Sequence, residues 1–305
     1  MAFSSYKCKT DKRAIKYSKM IKPPKSGLTT KLEATADDVV CTMHSGGTSG
    51  VPKIIELQNR ALNELSISLE KMYTRKIRGG GNEYSLVALP VFHAYGLGVA
   101  VHTCLTNQYS LVLVPNFKPK TFNKLIKKYN VTFFAGVPIM FKKMMEQKNF
   151  QGKHLAKLRD LWAGGDVLTE PFVEHFDIIL EKYNSPARLF RGYGLTEVSS
   201  VCAANTFENY RPYSCGKAIP NTKIEIWDEE NNPLAPNTIG EIAVCSPSVM
   251  KGYLNEVNGF VHKGEEKWVK TGDMGYMDED GFLYIMDRRK TVSYTHLTLP
   301  TIRLV

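Results

Sequence analysis

The chain has 305 residues, 43% hydrophobic and 23% charged, a balance that fits a globular protein with a substantial core and excludes a disordered or collagen-like chain. Its net charge of +10 is local, because eight Lys/Arg between Lys7 and Lys25 face only Asp11; sparse aromatics there argue for a solvated basic lead-in over a nucleic-acid surface. Six widely spread cysteines (Cys8, Cys41, Cys104, Cys202, Cys215, Cys245), with no C-x-x-C pair and no apolar signal core after Met1, argue against a zinc site or disulfide framework and point to a reducing cytoplasm.

Residues 1–35 carry Pro23-Pro24 and no periodicity, and lead into a strand-type run, Asp37-Asp38-Val39-Val40-Cys41-Thr42-Met43. It opens onto Ser45-Gly46-Gly47-Thr48-Ser49-Gly50-Val51-Pro52-Lys53. Three glycines let backbone N–H groups approach an anion, three hydroxyl residues add donors, and Lys53 adds a mobile charge, which is the chemistry of a phosphate cradle. A glycine- and serine-rich surface turn is the plain alternative, and the Walker pattern is not met. A helical stripe follows over residues 59–78 (Leu62, Leu65, Ile67, Leu69, Met72), stopped by Gly79-Gly80-Gly81-Asn82. Residues 84–117 contain no Asp, Glu, Lys or Arg, a length that could span a bilayer. Pro90, His93, Asn107, Gln108, Pro115 and Asn116 interrupt the run, so it reads as a buried β-α-β passage instead. Strands over 84–89, 110–114, 131–135, 158–163 and 188–191 alternate with helices after Gly96, after Pro119, over 138–147 and over 170–183 with Thr169 as cap. This alternation predicts a mostly parallel, helix-flanked sheet. Beyond about residue 205, short runs over 223–227, 240–245, 268–271 and 282–286 between Asn/Pro/Gly turns predict a smaller antiparallel β section.

Four further clusters carry chemistry. Pro90-Val91-Phe92-His93-Ala94-Tyr95-Gly96 and Ala163-Gly164-Gly165-Asp166 both follow predicted strands, where ligand crevices of open α/β sheets lie, although a structural histidine and a tight turn are the plainer readings. Gly192-Tyr193-Gly194-Leu195-Thr196-Glu197, also placed after a strand, offers an aromatic face, a hydroxyl and a carboxylate able to hold Mg²⁺. Lys270-Thr271-Gly272-Asp273 and Asp287-Arg288-Arg289-Lys290 offer an acid suited to ribose hydroxyls and a cation suited to phosphate.

In this order and spacing the clusters resemble the adenylate-forming superfamily, which includes acyl-CoA synthetases, 4-coumarate–CoA ligase, firefly luciferase and the adenylation domains of peptide synthetases. The resemblance covers about residues 36–290. Ser45 to Lys53 is similar to the family's phosphate loop, with Ser49 for the commoner Thr, and the segments at Pro90, Ala163 and Tyr193 match its motifs, with Asp166-Val167 standing for Ala-Pro. Gly240-Glu241-Ile242, Lys251-Gly252-Tyr253-Leu254, the run from Trp268 to Asp273, the turn from Asp278 to Gly281 and the run from Asp287 to Lys290 match the later ones. The resemblance implies that Ser45, Gly46, Gly47, Thr48, Ser49 and Gly50 hold ATP phosphates and that Tyr193 and the Gly165-Asp166-Val167 backbone flank adenine. It further implies that Thr196 contacts the α-phosphate, Glu197 binds Mg²⁺, Asp273 takes the ribose hydroxyls and Arg288 sits near ribose and phosphate. His93 and Gly164 would line the acyl pocket, and Lys53, Thr196 and Glu197 would carry catalysis. A carboxylic acid, with a fatty acid expected before an aryl acid, would become acyl-AMP and then pass to coenzyme A. Leu195, where peptide synthetase domains usually carry Pro, favours the CoA ligase over that alternative. Nucleic acid and an integral membrane span are not expected as partners, and peripheral membrane contact stays open.

The chain departs from the family at both ends. The phosphate loop starts at residue 45, so residues 36–286 are expected to form a partial large AMP-binding domain lacking its front portion, with a hinge starting over 287–290 and no small C-terminal domain. Thr291-Val292-Ser293-Tyr294-Thr295-His296-Leu297-Thr298-Leu299-Pro300-Thr301 resembles one reading frame of a transposase-type sequencing adapter, so residues 291–305 are read as an artefact. On this reading the chain is an inactive or weakly active fragment, and a non-catalytic nucleotide-binding remnant is the competing expectation.

Overall fold

In the computed structural model, which describes residues 33–45, 53–72, 83–254 and 259–288, the glycine-rich loop joins two antiparallel strands, β1 (Val39–His44) and β2 (Ile54–Gln58). Residues 54–58, unassigned from the sequence, form β2, and α1 (Asn59–Glu70) starts at Asn59 as expected. Ile55 and Leu57 are fully buried and alternate with half-buried neighbours, the period-two pattern of a strand with one face on the core. In α1, Leu62, Leu65 and Leu69 face inward, but Ile67, counted in the sequence stripe, is 44% exposed. The chain separates into two compact units, residues 1–35 and 36–305, and the described strands and helices all lie in the second. Most of the basic lead-in, the Gly79-Gly80-Gly81-Asn82 stop and the adapter-like string lie outside the described residues.

The alternating elements build one seven-stranded sheet. Strands β3 (Tyr84–Val87), β4 (Ser110–Leu113), β5 (Phe133–Gly136), β6 (Asp160–Ala163), β7 (Arg188–Leu195), β8 (Ser200–Ala204) and β9 (Lys217–Ala218) lie in the order β4-β3-β5-β6-β7-β8-β9. Pairing is parallel from β4 to β7 and antiparallel from β7 to β9. The run without charges is β3, a helix and β4. That helix, α2, is wound as a π-helix over Tyr95–Thr103 and ends in an α turn, Cys104–Thr106. The strand order reverses at β3, so a crevice opens between the carboxyl ends of β3 and β5. Helices α3 (Pro119–Tyr129), α4 (Pro138–Met145) and α5 (Glu170–Lys182) follow β4, β5 and β6. A relay of buried rings ties them to the sheet: Phe122, Phe134, Phe141, Phe176 and Phe150, with successive centroids 4.8 to 5.6 Å apart. Among the described residues no helix is long and apolar enough to cross a membrane.

Strand β7 runs four residues past its expected end. Gly192-Tyr193-Gly194-Leu195 therefore lies within the strand, not after it, because β8 folds back on it through a turn with Ser199 in the left-handed region (φ 63°). Gly194 permits that close return: a Cβ there would stand 1.6 Å from the Ser200 carbonyl oxygen. The later chain forms the expected antiparallel sheet, β10 (Lys223–Trp227), β11 (Gly240–Cys245), β14 (Glu266–Met277) and β13 (Val261–Lys263) in that order, with β15 (Leu283–Arg288) on β14. Strand β12 (Gly252–Tyr253) leaves this region to pair with β2, which makes the β1–β2 hairpin a three-stranded sheet.

At the amino end of β6, burial pushes the Asp160 carboxyl up to about 6, with the nearby Glu83 charge adding and Arg159 opposing. An acid raised in the folded state is destabilising once ionised, so its contribution worsens as pH rises from about 4 through 6. Asp160→Asn is therefore expected to raise the melting temperature at pH 7.5 and leave it nearly unchanged at pH 4. Thermal melts across that range check the sign, and a variant less stable at pH 7.5 would contradict it.

Candidate active site

The loop is closed at its neck by two bonds. The Ser45 N–H donates to the Lys53 carbonyl (2.8 Å), and the Lys53 N–H donates to Ser45 Oγ (3.1 Å). Gly46, Gly47, Thr48, Ser49 and Gly50 lie outside the described residues, so the cradle is anchored on its two ends. Lys53 projects its ammonium over the ring of Tyr253, 4.4 Å from the centroid, a cation–π contact. The Tyr253 hydroxyl donates to Glu197 Oε1 at 3.1 Å. Lys53 and Glu197, 144 positions apart in the chain, thus meet the two parts of one tyrosine. Thr196 is buried in the single 3₁₀ turn (Thr196–Val198) that ends β7, and this turn is gripped from outside: Met250 N–H donates to the Glu197 carbonyl (2.8 Å) and Ser199 Oγ to the Ser248 carbonyl (2.7 Å).

A second junction lies on the same strand. The Tyr193 hydroxyl donates to Asp273 Oδ2 at 2.7 Å. Burial, with Cys202 and the Asp273 charge adding, pushes the Tyr193 phenol well above its ordinary value, so it stays a donor. Asp273 is buried on β14, opposite Arg288 in the β14–β15 register, and its N–H donates to Thr271 Oγ1 (3.1 Å). For Arg288 the backbone position is described and the side chain is not.

The turn after β6 carries Gly164, Gly165, Asp166 and Val167. Gly165 needs its missing side chain, at φ 80°. Asp166 Oδ1 accepts the Val167 N–H (2.8 Å), and Val167 is 81% exposed. A Cβ on Gly164 would rest 3.5 Å from both the Gly192 carbonyl oxygen and the Tyr95 ring, so the turn packs against Gly192 of β7 and against Tyr95. Tyr95 also links the turn to His93: its N–H donates to His93 Nδ1 (3.2 Å) and its hydroxyl to the Trp162 carbonyl (2.9 Å). His93 is exposed at the carboxyl end of β3, on the crevice.

Behind the turn sits a buried ion pair that sequence reasoning passed over. Arg191 Nη2 meets Glu170 Oε2 at 2.7 Å, and Arg191 Nε donates to the Leu168 carbonyl at 2.8 Å. Glu170 also accepts from the Tyr210 hydroxyl and the Tyr213 N–H. Burial works to raise the Glu170 carboxyl, but these donors and the Arg191 charge together hold it below its ordinary value. Thr169 does occupy the cap position of α5, yet its side chain makes no capping bond. Tyr253 and Tyr95 were also without an assigned role; each sits inside a motif that was recognised, and only the strand pairing shows what it touches.

The donor set suits a magnesium nucleotide. Among the described residues no three His, Cys, Asp or Glu side chains cluster to hold a metal alone. A Mg²⁺ bound through one carboxylate, with phosphate oxygens and water as its other ligands, asks for no such cluster, and Glu197, joined to Lys53 through Tyr253, is a carboxylate that could serve it. Gly164 packs against Gly192, the residue before Tyr193, whose hydroxyl is bonded to the Asp273 carboxylate.

Comparison with known proteins gives one consistent relationship. The family model described as AMP-binding enzyme matches residues 5–254. A long-chain-fatty-acid–CoA ligase of Bacillus subtilis is 33% identical over 258 residues, 84% of this chain and 45% of that protein. 4-Coumarate–CoA ligase-like 6 of Arabidopsis thaliana is 33% identical over 264 residues, 84% of this chain and 46% of that protein. The chain spans about half the length of the curated relatives it matches. Among solved structures, O-succinylbenzoate coenzyme A synthetase from Bacillus subtilis in complex with ATP and magnesium ion superposes with a TM-score of 0.75 at 26% identity, over 87% of this chain and 54% of that one.

Proposed function

Because this chain belongs to the AMP-binding enzyme family, we propose that it carries the nucleotide site of an ATP-dependent carboxylic acid–CoA ligase, with residues 36–286 as part of its large domain. The observation that supports the reading is the pair of tyrosine junctions, which link Lys53 to Glu197 through Tyr253 and join Tyr193, on the strand that leads to Glu197, to Asp273. In this reading Ser45 and the loop after it hold the phosphates, Tyr193 and the Gly165-Asp166-Val167 backbone flank adenine, and Asp273 with Arg288 takes the ribose side. Thr196 faces the α-phosphate, Glu197 holds Mg²⁺, and His93 and Gly164 line the crevice for the acid.

A carboxylate oxygen of the substrate attacks the α-phosphorus of ATP; the bond from that phosphorus to the bridging oxygen breaks, and pyrophosphate leaves. The chain's part is to place the two reactants in line and to neutralise charge through Lys53; Glu197 would hold a Mg²⁺, which would supply further neutralisation of the phosphates. The thiol of coenzyme A then displaces AMP from the acyl carbon. The names of the relatives support a fatty acid first and an aryl acid second as substrate. The widely spaced cysteines, free among the described residues, support a cytoplasmic setting. ATP titrated calorimetrically into the 305-residue chain with MgCl₂ is expected to bind. Pyrophosphate release, measured with hexadecanoic and 4-coumaric acids on this chain and on a full-length gene recovered from the source, then assigns the substrate. Absence of ATP binding would sink the proposal.

A further inference from the structure

The contacts of Tyr253 reach further than a packing residue's would. Its ring lies under the Lys53 ammonium, its hydroxyl holds one oxygen of Glu197, and its backbone pairs with Ile55 two residues beyond Lys53. The segment that presents it is fixed from several sides. Lys251 N–H donates to the Glu56 carbonyl (2.9 Å) and Leu254 N–H to the Ile54 carbonyl (2.8 Å), while Lys267 Nζ donates to the carbonyls of Met250 and Lys251, both at 3.0 Å. Lys267 is itself seated on the Phe260 ring, 3.6 Å from its centroid. Met250 N–H meanwhile binds the backbone of Glu197, so the segment from Met250 to Tyr253 holds that residue by both main chain and side chain.

We infer that Tyr253 is a positioning residue which sets Glu197 and Lys53 against each other before nucleotide arrives, its hydroxyl serving the metal side of the site and its ring the phosphate side. The inference rests on the nucleotide-site reading above. The two functions belong to different atoms of one side chain, so they separate by substitution. Tyr253→Phe keeps the ring under Lys53 and removes the bond to Glu197; Tyr253→Leu removes both.

The test is calorimetric titration of ATP into the full 305-residue chain, in EDTA and in MgCl₂, with thermal melts of the ligand-free proteins. Tyr253→Phe is expected to lower the gain in ATP affinity given by MgCl₂ by about 5- to 10-fold, the scale of one typical hydrogen bond, with affinity in EDTA and melting temperature unchanged. Tyr253→Leu is expected to lose affinity in EDTA as well. Glu197→Gln should abolish the magnesium gain, and adding Tyr253→Phe to it should cost nothing more, as two groups acting on one ligand require. An unchanged magnesium gain in Tyr253→Phe, or equal losses in EDTA and MgCl₂ with a lower melting temperature, overturns the positioning role while leaving the nucleotide site standing. A wild-type chain that binds no ATP overturns both.

Discussion

Asp273→Ala is expected to weaken ATP binding by about 2–3 kcal/mol, roughly 30- to 150-fold, the scale of charge-assisted hydrogen bonds lost from a desolvated carboxylate. Asp273 is buried, and its Oδ2 already accepts the Tyr193 hydroxyl, so its orientation is set before any ligand arrives. The measurement that isolates its role is a comparison of nucleotides. With 2′,3′-dideoxy-ATP, which offers no ribose hydroxyls, wild type and variant should bind with nearly equal affinity. If the variant loses as much affinity for the dideoxy nucleotide as for ATP, Asp273 acts on the fold and not on ribose. Tyr193→Phe should lose less than Asp273→Ala, since it leaves the carboxylate in place without one of its donors.

The second large effect lies behind the turn at Gly164 to Val167. Glu170→Ala is expected to cost about 3–5 kcal/mol of stability, because it strands the Arg191 guanidinium in a buried site. For a chain of this size that lowers the melting temperature by roughly 10 °C. Replacing both partners, Glu170→Leu with Arg191→Met, should recover most of the loss, since apolar groups leave no charge to satisfy. The pair also sets a pH limit. Glu170 is held below its ordinary value in the folded protein, so its stabilisation is present at neutral pH and is lost as pH falls through the depressed value. Thermal melts of the three proteins from pH 7 down through the acid range below pH 4 measure both points, and a single-variant loss below about 1 kcal/mol at pH 7 would show the pair to be dispensable.

Much of the architecture could be read before any coordinates. The strands over 223–227 and 240–245 fall where turn residues bracketed them, and the parallel strands fall within two residues of their predicted starts. Misreadings have local causes. Ile54-Ile55-Glu56-Leu57-Gln58 alternates as a strand should, but a glycine loop on one side and a helix on the other left too short a window for period two to stand out. The π winding of α2 carries no sequence signal, since Tyr95-Gly96-Leu97-Gly98-Val99 reads equally as any buried helix. The Gly192-to-Leu195 segment was placed after its strand because glycines usually end strands; here they admit β8. The site residues were legible as motifs, yet their mutual arrangement was not. Nothing in the spacing of Lys53, Glu197 and Tyr253 says that one tyrosine meets an ammonium with its ring and a carboxylate with its hydroxyl; that follows from β12, between β11 and β13 in the chain, pairing with β2 instead of with their sheet.

That excursion of β12 has a consequence for biosynthesis. The strand that completes the sheet anchoring the glycine loop follows the hairpin by about 200 residues, on the order of 10 to 40 s at ordinary elongation rates. Through that interval β2 offers an open hydrogen-bonding edge, with Glu56 as a charge on it that discourages pairing with a second nascent chain. The glycine-rich loop is thus synthesised well before the sheet that anchors it can be completed, and ribosome-bound chains halted before residue 252 should leave the outer edge of β2 open to hydrogen exchange.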